Sequence, residues 1–272
     1  MSDPGRPDPG RTHAEFGMYP FDSIGWAWNA LWSGIHRRAP WTPSTLTRSG
    51  DVHAGWRDPR WIVTHVCGLP YAAQHRDQLE VLGAFALSIP EGTPDARYRS
   101  VLLSPHDRTV NELTSSETHA VANSADSLSG WASLLNATVG PTGVWPGSVT
   151  FTSSHYQSVR MLARGEADLA AIDAWSLALI RQEQPDLLDR LFQVGHGPLV
   201  PTPAITARAT LGDERINELR EAFADAIVDP ELDEAKLALR ITGFVRLTLS
   251  DYLGTLDLST RPQSNDTQPT DT

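Results

Sequence analysis

The chain has 272 residues, 40% of them hydrophobic, enough for one large α/β domain or two domains of about 100–150 residues each. Its formal net charge of −11 argues against a nucleic-acid partner or an anionic membrane surface, both of which select a basic face. A small anion held by backbone donors remains compatible with it. The single cysteine, Cys67, rules out an intrachain disulfide and leaves the redox compartment open.

Residues 1–13, rich in Pro, Gly and Asp, are expected to be a disordered lead. They lack the positive start and apolar run of a secretory signal, so the chain as written is expected to stay in the cytoplasm. "AEFGMYPF" (14–21) reads as a first strand ending at Tyr19-Pro20. In 22–39, Ile24, Ala27, Trp28, Leu31, Trp32 and Ile35 recur at helical spacing, with Asp22 or Ser23 to cap and Pro40 to stop. Strands follow at 60–68, 79–87, 96–104 and 118–123. Residues 131–138 place Trp131, Leu134 and Leu135 on one helical face. A Gly/Pro loop (140–147) leads to a strand at 148–153, a helix at 154–165, a strand at 167–173 and a helix at 174–182. The segment 187–206 returns through an extended stretch. Helices are expected at 213–229, 231–241 and 249–256, and then a polar tail. Strands alternating with helices predict an α/β fold with parallel sheets covered by helices, whose ligands collect at the carboxyl ends of strands.

Several junctions carry candidate chemistry. In "NSADSLSG" (123–130), a strand end meets a helix start. The first amides of a helix lack internal partners. Ser127 and Ser129 add hydroxyls, and Gly130 permits close approach to the backbone. These neutral donors suit a phosphate-like group, although ordinary capping by Asp126 or Ser127 explains the same residues. "TSSHYQS" (152–158) repeats the arrangement, with His155 in the first turn as a neutral donor or a surface histidine. Asp173, at the end of a strand, faces the cleft or caps the next helix. Tyr98 and Ser100 share one face of their strand, so Tyr98 is an oxyanion donor or a core tyrosine. Cys67 reads as a buried structural thiol. The chain lacks Walker A, G-x-G-x-x-G, H-E-x-x-H and G-x-S-x-G patterns, so no cofactor, metal or catalytic residue is expected, and Ser127, His155 and Asp173 do not read as a hydrolase triad.

Taken in order, "MYPF", the tryptophan-rich first helix, "CGLPY", "Y-x-S", "VAN", "S-x-S-G", "S-H-x-x-S", "G-E-A-D-x-A-A-I-D" and "PLVPTPAIT" resemble the phosphate/phosphonate-binding proteins of ABC transporters, over about residues 14–256. The resemblance implies a type II periplasmic-binding-protein fold: two α/β lobes, each a mostly parallel sheet flanked by helices, joined by two crossovers. Lobe one would be 14–104 plus 204–256 and lobe two 105–203, with a disordered tail at 257–272. It implies a phosphorus oxyanion (phosphate, phosphonate or phosphite) held by Ser127, Leu128, Ser129 and Gly130, by Tyr98 and by His155, with Tyr19 and Asp173 in the same cleft. It also implies a monomer that serves an ABC permease, in the periplasm or at the cell surface. Trp26, Trp28 and Trp56 would meet an apolar substituent or belong to the core. Two other readings stay open: a cytoplasmic lyase-like enzyme on the same fold, as in menaquinone biosynthesis, with His155 and Asp173 as acid and base, and a ligand-sensing module.

Overall fold

A computed structural model describes residues 12–48, 50–140 and 143–258. In chain order the regular elements are β1 (His13–Glu15), α1 (Gly25–Arg38), α2 (Val52–Arg57), β2 (Trp61–Val66), α3 (Gly68–Pro70), β3 (Leu79–Leu87), β4 (Arg97–Ser104), β5 (His119–Ala122), α4 (Ser133–Thr138), β6 (Ser148–Phe151), α5 (His155–Ala163), β7 (Leu169–Ile172), α6 (Ala174–Glu183), β8 (Phe192–Pro201), β9 (Ala204–Arg208), α7 (Gly212–Ile227), α8 (Asp233–Ala238), β10 (Ile241–Val245) and α9 (Leu249–Leu253). The lead and tail expected to be disordered fall largely at 1–11 and 259–272, outside the described residues, whereas His13 already belongs to β1.

The strands form two five-stranded sheets flanked by helices, ordered β1-β2-β9-β3-β10 and β6-β5-β7-β4-β8. β2 is buried along its whole length and reads as an uninterrupted apolar run for that reason. Helix α1 turns Ala27, Trp28, Leu31, Trp32 and Ile35 inward, the stripe its spacing predicts.

The α/β, two-lobe expectation stands, but the sheets are mixed rather than mostly parallel. In the first sheet only β1 and β2 run parallel, and the remaining neighbours are antiparallel. In the second, β6, β5 and β7 are parallel, whereas β4 is antiparallel to both β7 and β8. The reason is the route of the chain. It passes between sheets directly, from β3 to β4 and from β8 to β9, and such connections need none of the helical crossovers that parallel neighbours require. The expectation also grouped 96–104 with the first lobe, but β4 pairs within the second sheet.

Two further differences have local causes. The strand expected over 14–21 stops at Glu15, so Tyr19 leaves the sheet on a loop. The helix expected over 231–241 ends at Ala238, because Arg240 takes a left-handed φ of 60° and turns the chain into β10.

One apolar core runs through both lobes. Its link is Trp175 of α6, which has no exposed surface. The indole lies 4.2 Å from the Tyr19 ring and 5.8 Å from those of Trp28 and His65. Its N–H donates to the Leu239 carbonyl at 2.8 Å. The crossing segments are tied together by Thr202, whose hydroxyl donates to the carbonyl of Phe85 at 2.8 Å and whose own carbonyl accepts from the Tyr252 hydroxyl at 2.9 Å. A smaller core, including Leu102, Leu134, Leu135 and Trp145, lies apart from the main one.

Two stability predictions follow from this core. Trp175→Ala removes the interlobe link and should cost about 3–5 kcal/mol, read as a lower denaturant midpoint. His65 sits among aromatic rings, and burial, opposed by the Pro203 carbonyl, pushes its pKa down to about 3. The unfolded chain then binds more protons between pH 6.5 and 3, so stability should fall as pH drops through that window. Denaturation midpoints measured against pH should show a shallower slope in His65→Phe.

Candidate functional site

The parallel strands β5, β6 and β7 each deliver one polar junction to the same cleft, as expected for the carboxyl ends of such strands. After β5, Ser127 opens a five-residue π-type turn, Leu128–Ala132, that runs on into α4. The Ala132 amide reaches the Ser127 carbonyl at 3.0 Å. The Ser127 Oγ accepts from the Gly130 amide at 3.0 Å. The cap is therefore Ser127, while Asp126 accepts from the Ser124 hydroxyl at 2.8 Å. Gly130 has no room for a side chain: a Cβ there would lie 2.1 Å from the Asn123 Oδ1.

After β6, Ser154 caps α5 by accepting from the Gln157 amide at 3.2 Å, and His155 occupies the first turn. Its Nδ1 accepts a long hydrogen bond, 3.4 Å, from the Asp173 amide. That assigns the proton to Nε2, which faces the Ser129 Oγ at 3.0 Å. Burial lowers the His155 pKa, with the Asp173 charge opposing, so the ring is a neutral donor. Desolvation, rather than the helix end, is the larger cause.

After β7, Asp173 caps α6. Its Oδ1 accepts from the Ser176 amide at 2.7 Å, and its Oδ2 accepts from the hydroxyls of Tyr98 at 2.6 Å and Tyr19 at 3.2 Å. Burial first, and the Asp173 charge next, hold both phenols well above the usual tyrosine pKa. The Ser129 hydroxyl also faces the Tyr98 phenol.

These junctions open on a cavity of about 890 Å³ between the lobes. Of the residues singled out from sequence, Tyr19, Ser127, Ser129, His155 and Asp173 line it. Tyr98, Leu128 and Gly130 stand behind that surface, and the Tyr98 proton goes to Asp173 rather than toward the cavity. Cys67 also lines it, its thiol pushed up to about 11 by burial, which makes it a poor nucleophile. Of the tryptophans, Trp56 lines the cavity, Trp28 belongs to the core, and Trp26 is exposed. Sequence reasoning missed Phe21, Asp22, Asp51, His53, Asn123, Asp126 and Glu183. They lie on loops and helix ends without periodic pattern, and only folding gathers them. His53 and Asp126 meet across the cleft at 3.9 Å. Among the described residues, the lining carries five carboxylates and no lysine or arginine.

A family model described as "ABC transporter, phosphonate, periplasmic substrate-binding protein" matches residues 57–252. The chain belongs to this family. Its members are binding proteins of transport systems rather than enzymes. No curated protein sequence matches. Solved structures share the fold. PhnD1 from Prochlorococcus marinus, solved in complex with methylphosphonate, aligns with a TM-score of 0.73 at 13% identity over 92% of this chain and 97% of its own. A binding-protein component of an ABC phosphonate transporter from Pseudomonas aeruginosa aligns at 0.69 with 15% identity, over 89% and 82%. A Xanthomonas citri protein bound to ATP aligns at 0.66 with 14% identity, over 90% and 96%. Among the described residues, no helix is long and apolar enough to cross a membrane.

The crowding at Gly130 is directly testable. Gly130→Ala should lower stability by about 1–3 kcal/mol through overpacking, and Asn123→Ala in the same chain should recover much of that loss. Thermal melts of the single and double variants check the pairing.

Proposed function

We propose that this solute-binding protein captures a phosphorus oxyanion (phosphate, phosphonate or phosphite) in the interlobe cavity and presents the closed form to an ABC permease. The observation that carries this reading is the convergence of the Ser127–Ser129 turn after β5 and of His155 after β6 onto one cavity wall, where the His155 Nε2–H meets the Ser129 Oγ. Uncharged hydroxyl, imidazole and backbone donors suit an anion without a cation, because helix-start amides are already electropositive. Methylphosphonate, the ligand in the similar Prochlorococcus structure, is the first compound to try.

In this reading Tyr98, Leu128 and Gly130 shape the site from behind. The protein works as a monomer on the periplasmic or cell-surface side of the membrane, closing by rotation about the two interlobe crossings. The family match does not favour the lyase-like alternative.

Isothermal titration with methylphosphonate, phosphate and phosphite should give at least one Kd tighter than about 1 mM, a binding energy of only ~4 kcal/mol. No binding by any of the three would sink the proposal. Ser127→Ala and Ser129→Ala should each weaken binding by about 1–3 kcal/mol, the cost of an unmade buried hydrogen bond. Unchanged affinity in both variants would remove these serines from the site.

A further inference from the structure

Asn123 directly follows β5, and its carbonyl accepts from the Ser153 amide at 2.9 Å. Ser153 reaches it just after β6 by taking a left-handed φ of 70°, an unfavourable conformation for a residue with a side chain. The junctions that carry Ser127 and His155 are thus pinned to each other at Asn123.

The carboxamide on that backbone is unevenly satisfied. Its Oδ1 is buried and accepts no hydrogen bond among the described residues. It sits against Gly130, where a Cβ would lie 2.1 Å from Oδ1 and 3.1 Å from the Ser127 Oγ. One Gly130 Cα hydrogen occupies that same direction. It therefore points at Oδ1, with the polarity of a weak Cα–H···O contact. Turning the amide over would set N–H hydrogens against that C–H, so the oxygen belongs inside. Nδ2 lies at the other corner of the amide plane and carries two hydrogens. It has no protein partner among the described residues and, unlike Oδ1, is not shut off from the cavity that Asn123 lines.

A buried acceptor without a donor lowers stability. Alanine at this position would remove that cost and relieve the crowding at Gly130. What asparagine adds instead is the pair of N–H donors that it shows the cavity. Resting on the phosphorus-oxyanion reading above, we propose that Asn123 is a ligand-binding residue whose Nδ2–H donates to the anion received by Ser127 and His155. The amide is a further uncharged donor on a wall that, among the described residues, has no lysine or arginine. Neither periodicity nor a motif marks Asn123 in the sequence; the contrast between the two ends of its carboxamide does so in the fold.

The test separates binding from stability. Calorimetric titration of the full chain with methylphosphonate should show affinity falling about 5- to 150-fold in Asn123→Ala, the loss of one buried hydrogen bond. Thermal melts of the ligand-free variant should show a midpoint at or above that of the wild type, because an unpaired acceptor has gone. In 1H–15N spectra of the wild type, the Asn123 side-chain NH2 pair should shift when methylphosphonate is added. Affinity within twofold of the wild type overturns the inference, as does an NH2 pair that stays in place. A weaker affinity with a midpoint several degrees lower overturns it too, since the amide would then support the Ser127 turn rather than the ligand. Where Asn123→Ala does not fold, Asn123→Ser and the wild-type NH2 signals, assigned from the backbone, decide by the same criteria. If the wild type binds no phosphorus oxyanion, the proposed function fails first and this inference with it.

Discussion

Asp173 is 2% exposed, and its carboxylate accepts hydrogen bonds from three separate segments: the first turn of α6, the loop carrying Tyr19 and the strand carrying Tyr98. A buried carboxylate is tolerated only when such donors replace its water. Here the donors hold both lobes to one point. Trp175, two residues on, extends the same junction into the apolar core of the first lobe. The elements around the cavity are thus arranged about one charge whose satisfaction requires the two lobes together.

The electrostatics of the cavity follow from that choice. A chain of net charge −11 that gathers five carboxylates around a pocket is an unusual place for an anion. What makes it workable is local. In the proposed reading the Ser127 hydroxyl on the cavity wall supplies a hydrogen from short range, and His155 stays neutral because it is removed from water. In the proposed reading short-range directed donors decide the interaction, because exposed charges farther away than a Debye length, about 10 Å at 0.1 M salt, are largely screened.

The mixed sheets serve the same end. β5, β6 and β7 run parallel, and their carboxyl ends bring the Ser127, His155 and Asp173 junctions to one rim. β4 and β8 run against β7 and connect to the other sheet without helical crossovers. Rim and interlobe connections are therefore built from different strands of one sheet. Thr202 ties the crossing segments through Phe85 and Tyr252.

Much of the framework was legible in the chain itself. The apolar runs of β2 and β3, the tryptophan stripe of α1 and the serine caps at 127 and 154 are local features, set by periodicity and by the unmet amides of helix starts. The ordered motifs also singled out the junctions at Ser127, His155 and Asp173, which line the cavity. Strand β10 was not legible, because its formation depends on Arg240 reversing the chain and on β3 offering a free edge. Nor was the role of Tyr98, whose proton goes to an aspartate 75 residues away, or that of Tyr19, separated from the same aspartate by 154. Spacing along a strand says which face a side chain takes, but not what waits there. By itself, the sequence determined the elements, their caps and the residues offered at each strand end, since those depend on neighbours within a few positions. Only the tertiary structure decided which of these groups donate and which accept, because the direction of a hydrogen-bond chain is set by partners brought together from distant segments around one buried charge.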